Sequence, residues 1–92
     1  MNATAEIQVV PIGAGVSVRK EIRRAVEILR GFDLTLETHA SGTNLEGELS
    51  TILRALETLH EALHAEGVVR MVTYLKLETR TDKTPTLAGK RL

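Results

Sequence analysis

Apolar and polar residues alternate along four stretches of the chain, and in two other stretches the period lengthens to that of an amphipathic helix. A period of two is typical of a strand with one buried face, and a period near 3.6 is typical of a helix with one buried stripe. The predicted order is strand, helix, strand, strand, helix, strand. The predicted strands cover residues 4–12, 34–40, 43–46 and 68–80, and the predicted helices cover residues 18–30 and 48–66.

Serine and glycine residues mark the predicted ends of these elements. Ser17 stands at the position of an N-cap for the first helix, and Gly31 stands where a C′ glycine would end it. Gly67 ends the second helix, and Ser41-Gly42 forms the tight turn between the two middle strands.

The element order predicts an α/β (α+β) ferredoxin-like sandwich. Two right-handed crossovers place both helices on one face of a four-stranded antiparallel sheet. This single domain is predicted to cover residues 1–83. Residues 84–92 form a polar C-terminal tail that we expect to be mobile unless a partner subunit holds it.

The sheet face without helices is predicted to carry a mixture of apolar and charged side chains. Such a face suits neither free solvent nor a core, so we expect a second copy or a ligand pocket there. The long last strand is predicted to offer an unpaired edge as well, and a homodimer or homotetramer follows. The predicted members of this face are Glu6, Gln8, Val10, Glu37, His39, Arg70, Val72, Tyr74 and Lys76.

The composition of the 92 residues argues against several classes of protein. Twelve basic and twelve acidic residues leave no net charge, and one Tyr, one Phe and no Trp leave few stacking platforms, so we expect no nucleic-acid partner. The basic residues of the first helix are expected to form a solvated face. The absence of cysteine excludes a thiolate metal site and a thiol nucleophile. No apolar run approaches a membrane span, and we expect a cytoplasmic protein without a membrane partner.

Residues 60–64 match the H-E-x-x-H pattern of zinc metalloproteases. His60 falls within the apolar stripe of its helix, and Arg70 stands where the longer form of the pattern has a third histidine. We therefore expect no metal site. His60 is predicted to pack where the helix meets the sheet, and His64 to lie at the edge of the stripe.

Two polar segments could hold a small ligand. The Gly13-Ala14-Gly15 loop lacks the third glycine of a dinucleotide fingerprint, which leaves a plain turn or a place near Ser17 for an anion or a polar ligand edge. Residues 38–47 concentrate hydroxyl, amide and carboxylate groups on a hairpin predicted to lie beside that loop. They suit recognition of a small heteroaromatic compound, although turns use the same residue types.

These motifs, taken in order, resemble the small thiamine-binding-protein-like family over residues 5–83. The resemblance implies a ferredoxin-like fold, dimers and tetramers assembled through sheet contacts, binding of thiamine or its hydroxymethylpyrimidine half, and no enzymatic reaction. A longer helical end is expected in that family than the short segment after Lys83. The segments that carry the resemblance are residues 6–13, Ser17, residues 42–47 and residues 80–83.

The resemblance also implies which residues bind the ligand. A carboxylate such as Glu46 and hydroxyls such as Ser17 and Thr43 complement an aminopyrimidine, although Glu46 could instead cap the second helix or pair with a basic residue. Tyr74 offers an aromatic face to a thiazolium cation. The implied ligand-binding residues are Pro11, Gly13, Ser17, Thr38, Gly42, Thr43, Asn44 and Glu46, with Gly47 closing the hairpin motif.

The predicted function is therefore non-catalytic binding of thiamine or its pyrimidine by a homo-oligomer. No acid/base pair or nucleophile can be placed, so no enzyme, catalytic residue or cofactor is expected. The alternative is a regulatory or structural module whose open sheet face serves self-assembly alone.

Overall fold

The structure, a computed structural model, describes all 92 residues and contains the six predicted elements in the predicted order. The third strand is longer than predicted, because pairing with the first strand extends through Gly47 to Glu48. A single 3₁₀ turn near the C-terminus is the one element that the periodicity missed. The elements are β1 (Asn2–Ile12), α1 (Arg19–Arg30), β2 (Thr35–His39), β3 (Gly42–Glu48), α2 (Leu49–Ala65), β4 (Arg70–Thr79) and the 3₁₀ turn Ala88–Lys90.

The sheet has the strand order β2-β3-β1-β4, and every neighbouring pair is antiparallel. This topology confirms the ferredoxin-like prediction. β1 lies inside the sheet and pairs on both sides, whereas β2 and β4 are edge strands. No helix is long and apolar enough to cross a membrane.

The hydrophobic core lies between one face of the sheet and the two helices. Alternate residues of β1, from Ala3 to Val9, point into it, and Leu45 of β3 lies beside them. Each helix contributes its apolar stripe, so burial of this face stabilises sheet and helices together. The helical core residues are Ala25, Ile28, Leu29, Ile52, Ala55, Leu59 and Leu63.

The predicted start of α1 is wrong, whereas its predicted end at Gly31 is confirmed. α1 begins at Arg19 with Val18 at the N-cap position and no side-chain cap, so Ser17 lies in the preceding loop. α1 ends at Gly31 as predicted, but Gly31 has φ −74° instead of the left-handed conformation of a C′ glycine, and its N–H donates to the Ile28 carbonyl at 3.0 Å. Gly67 has φ +110°, which confirms the predicted end of α2.

The register confirms the composition of the opposite sheet face, which we call the open face. Glu6, Gln8 and Val10 of β1 pair there with Lys76, Tyr74 and Val72 of β4. No helix packs against it, and Tyr74 is 63% exposed.

The C-terminal tail packs across part of the open face. The Leu87 N–H donates to Glu46 Oε1 at 2.7 Å, and Asn2 Nδ2 donates to the Pro85 carbonyl at 3.1 Å. Leu87 is buried, and the open-face residue Thr4 is only 4% exposed. The expectation that the tail is mobile unless a partner subunit holds it is wrong, because the sheet of the same chain forms hydrogen bonds with the tail.

Two ion pairs hold the last residues of the tail. Lys90 Nζ donates to Glu78 Oε1 at 2.6 Å, and Arg91 donates to the Glu37 carboxylate. These hydrogen bonds lower the pKa of Glu78 and of Glu37. All four side chains are largely exposed, so the pairs fix the direction of the tail more than they stabilise the fold.

Candidate functional site

A cavity of about 290 Å³ opens between the apolar side of α1 and the β2–β3 hairpin, on the helix side of the sheet. Its apolar walls come from two sources. Ile7 and Val9 of β1 line it from the sheet, whereas Ala25 and Leu29 line it from α1. The hairpin supplies the polar rim, with Thr38, Ser41 and Thr43.

The two threonines of the rim are cross-strand neighbours. Thr38 and Thr43 pair in the β2–β3 register, and their hydroxyl oxygens lie 3.3 Å apart. Thr43 is 5% exposed, whereas Thr38 is open to solvent. Each hydroxyl can donate and accept, so the pair can turn toward a polar atom of a ligand.

The hairpin lies so close to β1 that Gly42 tolerates no side chain. A Cβ at this position would lie 2.7 Å from the Ile7 carbonyl oxygen, a backbone atom that cannot give way cheaply. The glycine thus allows the turn to approach β1 and to form one rim of the cavity.

The His39 ring holds the hairpin turn from the open face. The Ser41 N–H donates to Nδ1 at 3.3 Å, so the proton of the neutral ring lies on Nε2. Nε2 then donates to Asn44 Oδ1 at 3.2 Å and lies 3.4 Å from Glu6 Oε2. The sequence analysis placed His39 on the open face but missed this role, which its position just before the Ser41-Gly42 turn could have suggested.

Apart from His39, no residue with an ionisable side chain lines the cavity. Both nitrogens of His39 are already engaged by protein groups. The cavity therefore favours a neutral, mostly apolar ligand with a few hydrogen-bonding atoms at the hairpin end.

The structure brings together only part of the predicted site. Thr38, Gly42 and Thr43 all line the cavity. Pro11 is buried at the end of β1 outside the lining, and Ser17 is exposed in the loop before α1. Gly13 lines a separate cleft beside that loop.

Asn44 and Glu46 lie on the open face, across the sheet from the cavity. Asn44 accepts from His39, and the Glu46 carboxylate accepts from the Leu87 N–H of the tail. Glu46 thus neither caps α2 nor pairs with a basic side chain. Tyr74 also lies on the open face. Within one chain, none of these three lines the cavity.

The cavity wall from α1 was missed by the sequence analysis. Val18, Ile22 and Val26 line it together with Ala25 and Leu29. They lie on the apolar stripe that predicted the helix, and a stripe looks the same in sequence whether it packs on a core or lines a cavity.

The two histidines of the H-E-x-x-H segment make separate structural contacts. His60 Nε2 lies 2.8 Å from Thr73 Oγ1, which confirms its predicted place between α2 and the sheet. His64 Nδ1 donates to the Val68 carbonyl at 2.7 Å. No group of three potential metal ligands is present.

We expect the free energy of unfolding to decrease as the pH decreases, and part of this decrease to come from His60. Burial, followed by the nearby His64, lowers the pKa of His60 below its ordinary value. The unfolded chain therefore takes up a proton before the folded chain does as the pH falls. The contribution of neutral His60 is fully present above about pH 6.5 and is lost toward the lower folded-state pKa.

Urea unfolding between about pH 8 and about pH 5 checks this prediction. The variant His60→Gln should lose less free energy of unfolding over that range than the wild type. Equal losses in the two proteins would show that His60 does not carry the effect.

The fold and the cavity define a small ferredoxin-like domain with an internal site for a compact ligand. The sequence profile of the thiamine-binding protein family matches residues 5–91. The chain belongs to this family. The match includes most of the tail, which the motif-based resemblance over residues 5–83 left out.

The chain matches several relatives over most of their length. UPF0045 protein MJ1052 of Methanocaldococcus jannaschii is 41% identical and covers 97% of this chain and 88% of its own. UPF0045 protein sll0230 of Synechocystis is 37% identical, and the match covers 98% of this chain and 74% of the relative. UPF0045 protein ECM15 of Eremothecium gossypii is 32% identical, and the match covers 98% of this chain and 87% of the relative. None of these names indicates a catalytic function.

Two solved structures share the fold along nearly the whole chain. That of MJ1052 has a TM-score of 0.90 at 39% identity and covers 97% of this chain and 91% of its own. The second is a candidate thiamine biosynthesis/salvage protein from Thermotoga maritima, with a TM-score of 0.87 at 26% identity. The match covers 98% of this chain and 95% of the Thermotoga chain.

Proposed function

We propose that this protein binds thiamine through its hydroxymethylpyrimidine half, without catalysing a reaction, and that the cavity beside the β2–β3 hairpin receives the pyrimidine ring. The observation that carries the proposal is a neutral, apolar cavity with a hydroxyl pair at one rim, in a chain of the thiamine-binding protein family.

The size of the cavity supports a single ring as its occupant. Ligand sites commonly measure about 300–1,000 Å³, and this cavity of about 290 Å³ lies just below that range. A dinucleotide would be too large. The aminopyrimidine half of thiamine offers an aromatic ring to Ile7, Val9 and Leu29, while its amine and ring nitrogens can hydrogen-bond to the threonine hydroxyls.

The charges favour the pyrimidine over the thiazolium as the buried half. No carboxylate lines the cavity to offset a desolvated cation. The thiazolium of thiamine would then lie toward the mouth or in solvent. The proposed ligand contacts are therefore Thr38, Thr43 and the Gly42 backbone.

The proposed assembly is a homodimer or homotetramer. β4 is a ten-residue edge strand paired only with β1, and it can extend the sheet into a second copy. The part of the open face around Tyr74 is left without an intramolecular partner. The same features would serve a self-assembling module, which differs in having no ligand.

Replacing Thr43 by valine should weaken binding of hydroxymethylpyrimidine by roughly 2- to 13-fold, the effect of about 0.5–1.5 kcal/mol for one hydrogen bond. Valine keeps the volume of the side chain but removes its hydroxyl. Isothermal titration calorimetry of the wild type and the variant measures the change.

The matched control is Thr35→Val, because Thr35 is exposed on β2 and lies outside the cavity. It should bind like the wild type. If neither hydroxymethylpyrimidine nor thiamine gives heat with wild-type protein that sediments as an oligomer, the self-assembling module becomes the function.

A further inference from the structure

A second opening lies on the other side of the start of α1. It is a cleft of about 680 Å³ between the β1–α1 loop, the first turns of α1 and the α2–β4 loop. Gly13 and Lys20 come from the first two of these segments, and Val69 comes from the third. Arg70, the first residue of β4, lies at the end of the open face and also borders the cleft. None of its lining residues is shared with the cavity beside the hairpin.

Two basic side chains that line this cleft have no acidic partner. Arg24 Nε donates to both carboxylate oxygens of Glu66, at 3.0 and 3.1 Å, so these two charges compensate each other. Lys20 of α1 and Arg70 of β4 form no salt bridge. Glu21 is the one acidic residue of the lining without a basic partner, and the cleft keeps a positive excess.

An adjoining groove on α1 increases this excess. It shares Lys20, Arg24 and Glu66 with the cleft and adds Arg19, Arg23 and Glu27. The two openings together contain five cationic and three acidic side chains, although the whole chain has no net charge. These two openings thus carry a local excess of two positive charges.

We propose that the cleft binds the phosphate or diphosphate group of a small molecule, with Lys20 and Arg70 as its cationic contacts. Arginine can hold two phosphate oxygens at once, and lysine adds a mobile point charge. This site is separate from the proposed pyrimidine site. The chemistry of the two openings differs accordingly, with one neutral and the other cationic.

Titration with inorganic pyrophosphate at constant ionic strength tests the site, because screening would otherwise change with the added anion. The wild type should bind it saturably. Lys20→Gln and Arg70→Gln should each weaken binding at least about tenfold, since a hydrogen bond to a charged group is stronger than one between neutral groups. Inorganic phosphate should bind more weakly than pyrophosphate.

Arg54→Gln is the matched control, because Arg54 is exposed on α2 and lines neither opening. It should leave pyrophosphate binding unchanged, and so should Thr43→Val. Absence of saturable binding to the wild type would overturn the proposal. An equal loss in Arg54→Gln and Arg70→Gln would overturn it too, because it would show attraction to surface charge in general. Neither result would bear on the pyrimidine cavity, whose test uses a different ligand.

Discussion

The variant Leu29→Ala is expected to lose about 2–5 kcal/mol of unfolding free energy. Leu29 is 2% exposed and belongs to the core, and it also lines the cavity beside the hairpin. Truncation removes its contacts on the core side and enlarges an existing space on the other. Stabilities near 5–15 kcal/mol are usual for a domain, so the loss is a large part of the total.

Urea and thermal unfolding at one fixed protein concentration measure this effect, since the stability of an oligomer depends on concentration. The melting temperature should fall by roughly 10 °C or more. Leu53→Ala is the control, because Leu53 is 47% exposed on α2 and its truncation should change stability by no more than about 0.5 kcal/mol. Equal losses in the two variants would contradict the core position of Leu29.

The fold could be predicted because each helix and strand has a recognisable pattern of apolar and polar residues in its own segment of the sequence. Alternation in β1 and β4 and the apolar stripes of α1 and α2 follow directly from which side chains the sheet and helices bury. The right-handed crossovers then leave few possible topologies. The start of α1 and the conformation of Gly31 were not predictable in the same way, because Ser17 and Gly31 have the expected residue types without the expected geometry.

The tail could not be predicted from its sequence. Its polar composition suggested mobility, yet its anchors lie far away along the chain. Glu46 is 41 residues from Leu87, and Glu37 is 54 residues from Arg91. Only the folded sheet places these carboxylates along one face, where they can accept hydrogen bonds from the tail.

The candidate site was predicted in part for a similar reason. Thr38, Gly42 and Thr43 lie within one hairpin, so sequence proximity places them together. Residues further along β3 alternate between faces, and this turns Asn44 and Glu46 away from the cavity. A strand motif that looks continuous in sequence is thus divided between two sides of the sheet.

A cavity-filling substitution is expected to have the largest effect on binding. Val26 lines the cavity and is half-buried, so phenylalanine there would occupy space needed by a ring without entering the densest part of the core. Val26→Phe should lose hydroxymethylpyrimidine binding by more than about tenfold, or about 1.4 kcal/mol. Leu53→Phe adds an aromatic ring of the same size to exposed α2 and should bind normally.

Isothermal titration of hydroxymethylpyrimidine into the wild type, Val26→Phe and Leu53→Phe tests the central claim most directly. Saturable heat in the wild type and in Leu53→Phe, together with its loss in folded Val26→Phe, is the result that the cavity predicts. Unchanged binding in folded Val26→Phe would contradict it and would place the ligand elsewhere on the protein.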